Sequence, residues 1–326
     1  MKETAPERHE LTVEPTDAGA RIDTYLAARL QDISRAQIQR AAKAGALLVD
    51  GSQVKVSHRV SPGERIEVTL VRPHDETLPP RPENIPLDVV YEDDAVLVIN
   101  KPAGMVVHPA VGNWSGTLVN ALLGRQAITE AASGSGQRPG IVHRLDKGTS
   151  GLLICARTEL AHRRLSDQLK DHTLARVYLA VAWGHIRGEQ AVFEGAIGRS
   201  TKDRKKMAVL RDGRAAHTQV RVLERLELAD LLEVTIETGR THQIRVHLSH
   251  AGHPVVGDTD YGGGSSHLLG VDPSLRLLAR RMLAAIGRPA LHAHRIRFLH
   301  PVTAQLREFE APPPPDFSGL IQVARR

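Results

Sequence analysis

Apolar residues near the start of the chain recur at helical intervals. Ile22, Leu26 and Leu30 are spaced to lie on one face of a helix. Ser34 is a suitable N-cap for a second helix that runs to residue 43, and Gly45 is a suitable residue to end it. The pattern therefore predicts a pair of short helices.

The next residues have the pattern of β-strands. Residues 47–49 lead into Asp50-Gly51, a dipeptide typical of tight hairpin turns, and residues 66–71 have the character of a closing strand. Five prolines between residues 72 and 86 disfavour regular structure. These signals divide the first part of the chain into a flexible acidic tail at 1–18, a small domain made of a helix pair plus a small β-sheet at 19–72, and a proline-rich linker at 73–86.

The remaining pattern predicts a larger domain at residues 87–320 and a C-terminal tail at 321–326. Apolar runs at 89–91 and 96–99 indicate a hairpin, and residues 158–171 have the spacing of an amphipathic helix. Strand and helix signals are mixed along this domain and do not alternate regularly. This order favours an α+β fold over a Rossmann fold.

Composition limits the class of protein. A hydrophobic fraction of 41% excludes wholesale disorder, and a length of 326 residues suggests about two folded domains. The one cysteine, Cys155, cannot form an internal disulfide or a four-cysteine metal site, so a cytoplasmic location is expected. Residues 1–20 lack the apolar run of a signal peptide, and no stretch has the roughly 20 apolar residues of a membrane span.

The distribution of charge indicates a polyanionic partner. The chain has 43 Lys and Arg against 37 Asp and Glu, a net charge of +6. Residues 19–60 contain seven cations and three acids, and residues 199–214 contain seven cations and two acids. Local basic surfaces of this kind attract phosphates. Since only 3% of the residues are aromatic, a platform of exposed rings that stacks on bases is disfavoured.

The densest group of chemically active residues is the segment 140–151, GIVHRLDKGTSG. Its carboxylate, Asp146, lies among His143, Arg144 and Lys147 on a glycine-bounded loop before a predicted strand. Neighbouring cations stabilise an ionised carboxylate, so Asp146 is a candidate nucleophile. A turn aspartate with solvated neighbours has the same local pattern, and this segment alone does not separate the two interpretations.

A second segment, 237–247, leads from a predicted strand into a helix that we expect Thr241 to cap. Arg245 lies one helical turn after Thr241, where a rigidly held guanidinium can pair with a carboxylate through two hydrogen bonds. Taken alone, the segment also fits an ordinary charged helix face.

Together these segments resemble the RluA-type RNA pseudouridine synthases. HRLD at 143–146 is one of six motifs that occur in the family's order, and six motifs in register are far more specific than HRLD alone. The resemblance covers about residues 87–320. The motifs are found at 100–109 (NKPAGMVVHP), 143–151, 176–181 (RVYLAV), 239–247, 252–258 (GHPVVGD) and 291–301.

The N-terminal unit resembles an S4 RNA-binding domain in residues 21–23 (RID), 34–38 (SRAQI) and 49–51 (VDG). An S4 domain joined to this catalytic domain resembles the RluD branch, which acts on large-subunit ribosomal RNA. The resemblance implies a catalytic domain with a central mixed, mainly antiparallel sheet flanked by helices. It also implies isomerisation of uridine to pseudouridine in RNA, with 23S ribosomal RNA or a pre-ribosomal particle as partner. Without an apolar span no membrane partner is expected, and a monomer is the default expectation for the oligomeric state, which the sequence leaves open.

The resemblance implies roles for individual residues. Asp146 is the expected essential carboxylate, which either attacks C1′ of the sugar or abstracts a sugar proton. Arg245 is the expected pairing cation, and Arg240 is the second choice. Tyr178 is expected to stack on the flipped base and to assist removal of the C5 proton. The family usually has lysine where this chain has Arg176, so the charge is retained and the detailed geometry is open.

Cations in three regions are the expected contacts to RNA. His143 and Arg144 would help to extrude the target base, which must be unstacked first. Arg240 would contact RNA if it does not pair with Asp146. In the N-terminal domain and the basic run, where a solvated charged surface is the alternative, the expected phosphate contacts are Arg21, Arg35, Arg40, Lys43, Arg199, Arg204, Lys205 and Lys206.

The histidines do not indicate a metal site. They cluster at 242–253 and 292–300, but the spacings match neither HExxH nor a comparable zinc signature. The chain also has no Walker-type loop and no GxGxxG. Because isomerisation involves no net redox change, no cofactor is expected.

Two other classes of function compete with an RNA-modifying enzyme. An S4 protein with a decayed synthase domain would bind RNA without modifying it, and the intact Asp146, Tyr178 and Arg245 disfavour this alternative. A glycoside hydrolase would need a second carboxylate paired with Asp146, and the motif contains none.

Overall fold

The structure is a computed structural model that describes residues 7–30, 33–70, 80–110, 113–127 and 139–325. The chain divides into two compact units, Met1–Leu78 and Pro79–Arg326. Residues 1–6 of the predicted tail and residues 73–79 of the predicted linker lie outside the described residues. The rest of the predicted linker, 80–86, contains no helix or strand.

The first unit packs two helices against a sheet around a small apolar core. The sheet order is β1-β4-β2-β3. Ile22, Leu26, Ile38 and Ile66 are fully buried in the core. The elements are β1 (Glu7–Thr12), α1 (Ile22–Arg29), α2 (Arg35–Lys43), β2 (Leu47–Val49), β3 (Ser52–Gln53) and β4 (Arg65–Leu70). The predicted helix pair and small sheet are confirmed, with Ser34 as the N-cap of α2.

Residues 7–12 are not the flexible tail that the sequence predicted. They form β1, which pairs antiparallel with β4. Leu11 packs against the core and Val13 is buried in it. Exposed polar residues at 8, 10 and 12 alternate with the inward-facing Leu11 and Val13, and Glu10 forms a 2.7 Å ion pair with Arg65 of β4. The prediction was wrong because it weighed net charge and overlooked the period-two alternation of a strand.

The second unit is built on a large sheet that contains nine strands within the described ranges. Eight strands follow the order β5-β6-β7-β14-β8-β13-β12-β9, and β15 pairs with β14. The strands are β5 (Val89–Glu92), β6 (Val96–Lys101), β7 (Ser150–Ala156), β8 (Ala175–Trp183), β9 (Gln190–Glu194), β12 (His217–Arg225), β13 (Ala229–Ile236), β14 (Leu291–Leu299) and β15 (Leu306–Glu310). The pair β7–β14 is parallel and the others are antiparallel, which confirms a mixed, mainly antiparallel sheet in an α+β fold.

Helices and a small hairpin complete the second unit. The hairpin consists of β10 (Ile197–Arg199) and β11 (Met207–Val209). The helices are α3 (Leu118–Gly124), α4 (Glu159–Lys170), α5 (Gln243–His250), α6 (Arg276–Ala285) and α7 (Pro315–Ala324). No helix in the described part of the chain is both long and apolar enough to cross a bilayer.

Two predicted boundaries were wrong. Helix α5 begins at Gln243 with His242 as its N-cap residue, and Thr241 lies before the cap. The supposed C-terminal tail is largely helix, because α7 continues to Ala324. Phe317, Leu320 and Ala324 recur at helical spacing and are fully buried, so their apolar face holds the last turns of α7 on the core.

Strand register determines which loops meet. Gly151 at the start of β7 lies opposite Ala293 of β14, and Ala293 lies opposite Tyr178 of β8. A Cβ atom on Gly151 would lie 2.2 Å from the main-chain oxygen of Ala293, and the Gly151 φ angle is +109°. Glycine is therefore required there. This close approach brings the loop that carries Asp146 beside the start of β8.

Candidate active site

One cavity of about 610 Å³ is lined by all three predicted catalytic residues, Asp146, Tyr178 and Arg245. The loop before β7 contributes His143, Arg144 and Asp146, strand β8 contributes Tyr178, and the start of α5 contributes Arg245. These residues are up to 102 positions apart in the sequence, from 143 to 245. The fold thus assembles three separate motifs around a single space.

Asp146 lies against a buried arginine. Arg245 Nη1 donates a 3.4 Å hydrogen bond to Asp146 Oδ2, and the Arg245 side chain is buried. Arg240 points elsewhere, because its Nε donates to the main-chain oxygen of Ala215 at 3.2 Å. Of the two arginines proposed as partners of the carboxylate, the structure brings Arg245 to Asp146.

The two-pronged contact of Arg245 is made with a different carboxylate. Its Nε and Nη2 donate to Asp258 at 2.7 and 2.8 Å, and Nη2 also donates to Asp260 at 2.8 Å. Asp258 is fully buried, whereas Asp260 is exposed. The three carboxylates outweigh the desolvation of the guanidinium and raise the pKa of Arg245 above its ordinary value. Arg245 is therefore charged and rigidly held, with Nη1 directed to Asp146.

Tyr178 lies in the wall of the cavity with 5% of its surface exposed. Its hydroxyl makes no hydrogen bond to any described residue. Burial raises the pKa of Tyr178, the positive charge of Arg176 lowers it, and the negative charge of Asp146 raises it. Tyr178 thus presents a neutral ring and hydroxyl to the cavity and senses the opposite charges of Asp146 and Arg176.

Three further polar atoms of the cavity wall have no protein partner. They are His143 Nδ1, Thr149 Oγ1 and Arg176 Nε, each buried and without a hydrogen-bond partner among the described residues. His143 Nε2 accepts the Ile154 amide at 3.2 Å, and burial lowers the pKa of His143 to about 3. A neutral ring that accepts through Nε2 carries its proton on Nδ1. Buried donors without partners are costly, so this wall is suited to a molecule that brings hydrogen-bond acceptors.

Several site residues could not be assigned roles from the sequence. Asp258 lies in a recognised motif, but no spacing rule links it to Arg245. Lys101 is fully buried and donates 2.9 Å hydrogen bonds to the main-chain oxygens of Pro102 and Met105, which shape the loop after β6. Burial lowers the pKa of Lys101 to about 8, and the charge of Asp146 opposes this effect.

The predicted phosphate contacts of the basic run lie on and beside the β10–β11 hairpin. Arg199, Arg204 and Lys205 are exposed. Lys206 is half-buried, and its Nζ donates to the main-chain oxygen of Asp260 at 2.5 Å. The run is therefore a structured hairpin whose base contacts the segment that also holds Arg245.

In the first unit, two of the four predicted RNA contacts are held in ion pairs with a buried carboxylate. Arg21 and Arg35 both pair with Asp23, at 3.1 and 2.9 Å, and this carboxylate is fully buried. The hydrogen bond from Arg21 is the main reason why the pKa of Asp23 is lowered. Arg40 and Lys43 are exposed on α2. The arginine pair therefore stabilises the fold, while still exposing part of each guanidinium.

The two histidine clusters are not arranged as a metal site among the described residues. Within the described residues, no group of three or more His, Cys, Asp or Glu side chains converges as metal ligands would. His292 instead contacts Ser150 Oγ at 2.9 Å and the main-chain oxygen of Ala311 at 3.1 Å. His300 contacts Asp93 at 2.8 Å.

Comparisons with known proteins identify the family of the chain. Residues 95–250 match the family model for RNA pseudouridylate synthase, and residues 20–66 match that for the S4 domain. A Bacillus subtilis protein named uncharacterized RNA pseudouridine synthase YlyB is 43% identical over 97% of this chain and 98% of its own length. The Neisseria meningitidis serogroup A ribosomal large subunit pseudouridine synthase D is 44% identical over 97% of this chain and 81% of its own length.

A solved structure shows the same fold. Human RNA pseudouridylate synthase domain containing 1 superposes with a TM-score of 0.51 at 28% identity, covering 71% of this chain and 84% of its own. The family motifs, the sheet topology and the near full-length identities agree. The chain belongs to the RNA pseudouridine synthase family: it is an isomerase that acts on RNA, with an S4 RNA-binding domain ahead of its catalytic domain.

Proposed function

We propose that this chain isomerises uridine in large-subunit ribosomal RNA, with Asp146 as the essential carboxylate and without a cofactor. The observation that carries the proposal is the 3.4 Å contact between Asp146 and the buried Arg245 in a cavity that Tyr178 also lines. The Neisseria relative is named for an activity on the large ribosomal subunit, which supports ribosomal RNA as the substrate.

The reaction exchanges one bond of C1′ for another. The C1′–N1 bond breaks, the uracil turns, and a C1′–C5 bond forms; a proton leaves C5 and N1 gains one. Asp146 either attacks C1′ or removes a sugar proton, and both roles require the ionised carboxylate. Arg245 supplies a positive charge beside this anion, which stabilises it. Because no electrons are gained or lost overall, the residues present suffice without a redox group.

The cavity wall has features that suit a flipped uracil. Tyr178 offers a ring for stacking close to Asp146. The donors His143 Nδ1 and Arg176 Nε have no partner among the residues that the structure describes, and uracil carries two carbonyl oxygens that accept hydrogen bonds. A base extruded from the RNA pays an unstacking cost, which such contacts offset.

The test is the variant Asp146→Asn, with Asp212→Asn on an exposed turn as matched control. Each full-length protein is incubated with a large-subunit ribosomal RNA transcript, and pseudouridine is quantified. We expect Asp146→Asn to bind the RNA but form no product, and the control to match the wild type. Pseudouridine formation by Asp146→Asn would refute the assignment of Asp146. An inactive wild type that still binds RNA would favour a decayed synthase.

The substrate is tested separately in cells. Pseudouridines are mapped across ribosomal and transfer RNA with and without the gene. Loss of sites in large-subunit ribosomal RNA alone supports the proposal, whereas loss confined to transfer RNA overturns the substrate and leaves the role of Asp146 standing.

A further inference from the structure

His242 has a backbone conformation that requires an explanation. Its φ and ψ angles are 58° and 22°, in the left-handed region, at the residue that caps α5. Histidine, asparagine and aspartate occupy this region more often than other non-glycine residues, but the conformation is still strained. Residues held in this way cluster at functional sites, where the surrounding structure supports the strain.

Hydrogen bonds define the orientation of the His242 ring. The Met207 amide on β11 donates to the Tyr261 hydroxyl oxygen at 3.0 Å, and this oxygen lies 2.7 Å from His242 Nδ1. Since Tyr261 accepts from Met207, its own proton is free to be donated to Nδ1. A neutral imidazole that accepts at Nδ1 carries its proton on Nε2.

The other ring nitrogen of His242, Nε2, lies near Asp146. His242 Nε2 lies 3.8 Å from Asp146 Oδ1, whereas Arg245 contacts the other oxygen, Oδ2. Burial lowers the pKa of His242, and the neighbouring charge of Asp146 raises it, with the first effect larger. Asp146 is therefore approached by a neutral donor on one oxygen and by a cation on the other.

Tyr261 is itself held in place. The guanidinium of Arg245 lies 4.9 Å from the centre of its ring, and the rings of Tyr261 and His242 meet edge to face at 5.5 Å. These contacts and the Met207 hydrogen bond set the position of the hydroxyl. They also link the basic β10–β11 hairpin to the carboxylate through two side chains.

We propose that His242 is a positioning residue for Asp146, and that the Tyr261 hydroxyl holds the His242 ring in the tautomer and orientation that this role requires. The inference rests on the proposed function, because it assumes that Asp146 is the catalytic carboxylate. Orienting a catalytic group affects the chemical step more than substrate binding.

The first test compares His242→Asn with His242→Gln. Asparagine tolerates the left-handed conformation but does not reach Asp146, whereas the glutamine amide extends to the place of Nε2. For His242→Asn we expect kcat to fall by about tenfold or more while KM for a ribosomal RNA transcript changes by less than about twofold. We expect His242→Gln to recover part of kcat. An unchanged kcat in His242→Asn overturns the proposal.

The second test removes the hydroxyl that orients the ring. Tyr261→Phe retains the ring beneath Arg245, and we expect its kcat to fall with little change in KM. If both residues act through one contact, the double variant His242→Asn/Tyr261→Phe is no slower than the slower single variant, within about twofold. If the two single losses in kcat instead multiply in the double variant, the coupling between His242 and Tyr261 is refuted. Tyr91→Phe, which loses a hydroxyl bonded to Asp93 outside the cavity, is the matched control and should keep the wild-type kcat.

A third test reads the tautomer in the wild-type protein itself and needs a single variant, for assignment only. Nitrogen NMR of the ¹⁵N-histidine-labelled full chain, assigned by comparison with His242→Gln, reports which ring nitrogen is protonated. We expect the Nε2–H tautomer for His242, and an Nδ1–H tautomer overturns the proposal. Asp146→Asn separates the two proposals: if it is inactive and His242→Asn is fully active, only the role of His242 fails.

Discussion

Replacing Arg245 by methionine removes the guanidinium that faces three carboxylates while keeping an unbranched apolar side chain. Asp258 then loses two hydrogen bonds of 2.7 and 2.8 Å and stays fully buried. Breaking a buried ion pair by removing one partner costs about 3–5 kcal/mol, because the remaining charge is uncompensated. We expect the free energy of unfolding of Arg245→Met to fall by this amount.

The same substitution also removes the cation beside Asp146. Removing one group that stabilises charge in an active site lowers kcat by about 10²–10³-fold, and we expect a loss of this size. Adding Asp258→Asn neutralises the uncompensated carboxylate. The double variant should therefore regain about half of the lost stability or more but none of the lost activity, since Asp146 still lacks its cation.

Both tryptophans of the chain, Trp114 and Trp183, lie in the second unit, so fluorescence during urea unfolding reports on that unit. Arg204→Met is the stability control because Arg204 is exposed, and its effect should stay within about 0.5 kcal/mol. Two results would refute the reasoning: an Arg245→Met protein as stable as this control, or a double variant that regains activity together with stability.

Three further predictions follow from other parts of the structure. Burial lowers the pKa of His292 to about 4, so this histidine binds a proton at higher pH in the unfolded protein than in the folded one. The free energy of unfolding should therefore fall as the pH drops below 6.5, by roughly 2 kcal/mol at pH 5. Equal urea unfolding free energies of the wild type at pH 7 and pH 5 would contradict this. Gly151→Ala places a Cβ against the backbone of β14 at a left-handed φ and should cost about 3 kcal/mol or more, whereas Gly287→Ala, with nothing within 4 Å, should unfold like the wild type in the same urea assay. RNA affinity should fall steeply with salt, and Arg204→Ala/Lys205→Ala should flatten the plot of log Kd against log salt; an unchanged slope would show that the hairpin does not touch phosphates.

Local patterns in the sequence predicted local elements well. The helix pair of the first unit, the N-cap at Ser34 and the amphipathic helix α4 depend on neighbours within a few residues, and their signals are complete in the sequence. The prediction for residues 7–12 was wrong because the partner strand, β4, lies more than 50 residues later. An isolated acidic segment and an edge strand with alternating burial look alike until that partner is known.

The candidate catalytic residues were also named from the sequence, because the motifs around Asp146, Tyr178 and Arg245 occur in the order typical of the family. The geometry that relates these residues to one another could not be predicted from the sequence. The prediction paired Arg245 with Asp146 through two hydrogen bonds, whereas the structure gives both of those bonds to Asp258 and leaves one longer contact for Asp146.

The sequence by itself determined the family, the α+β class, the S4 unit and the carboxylate on which the chemistry is proposed to depend. The tertiary structure decided which side chains surround that carboxylate. The β7-β14-β8 strand order places the Asp146 loop beside Tyr178, and the start of α5 places His242 Nε2 3.8 Å from Asp146 Oδ1. The physical reason is that backbone propensity and periodicity act between near neighbours, whereas hydrogen bonds and ion pairs act between groups that only the completed sheet brings within 4 Å.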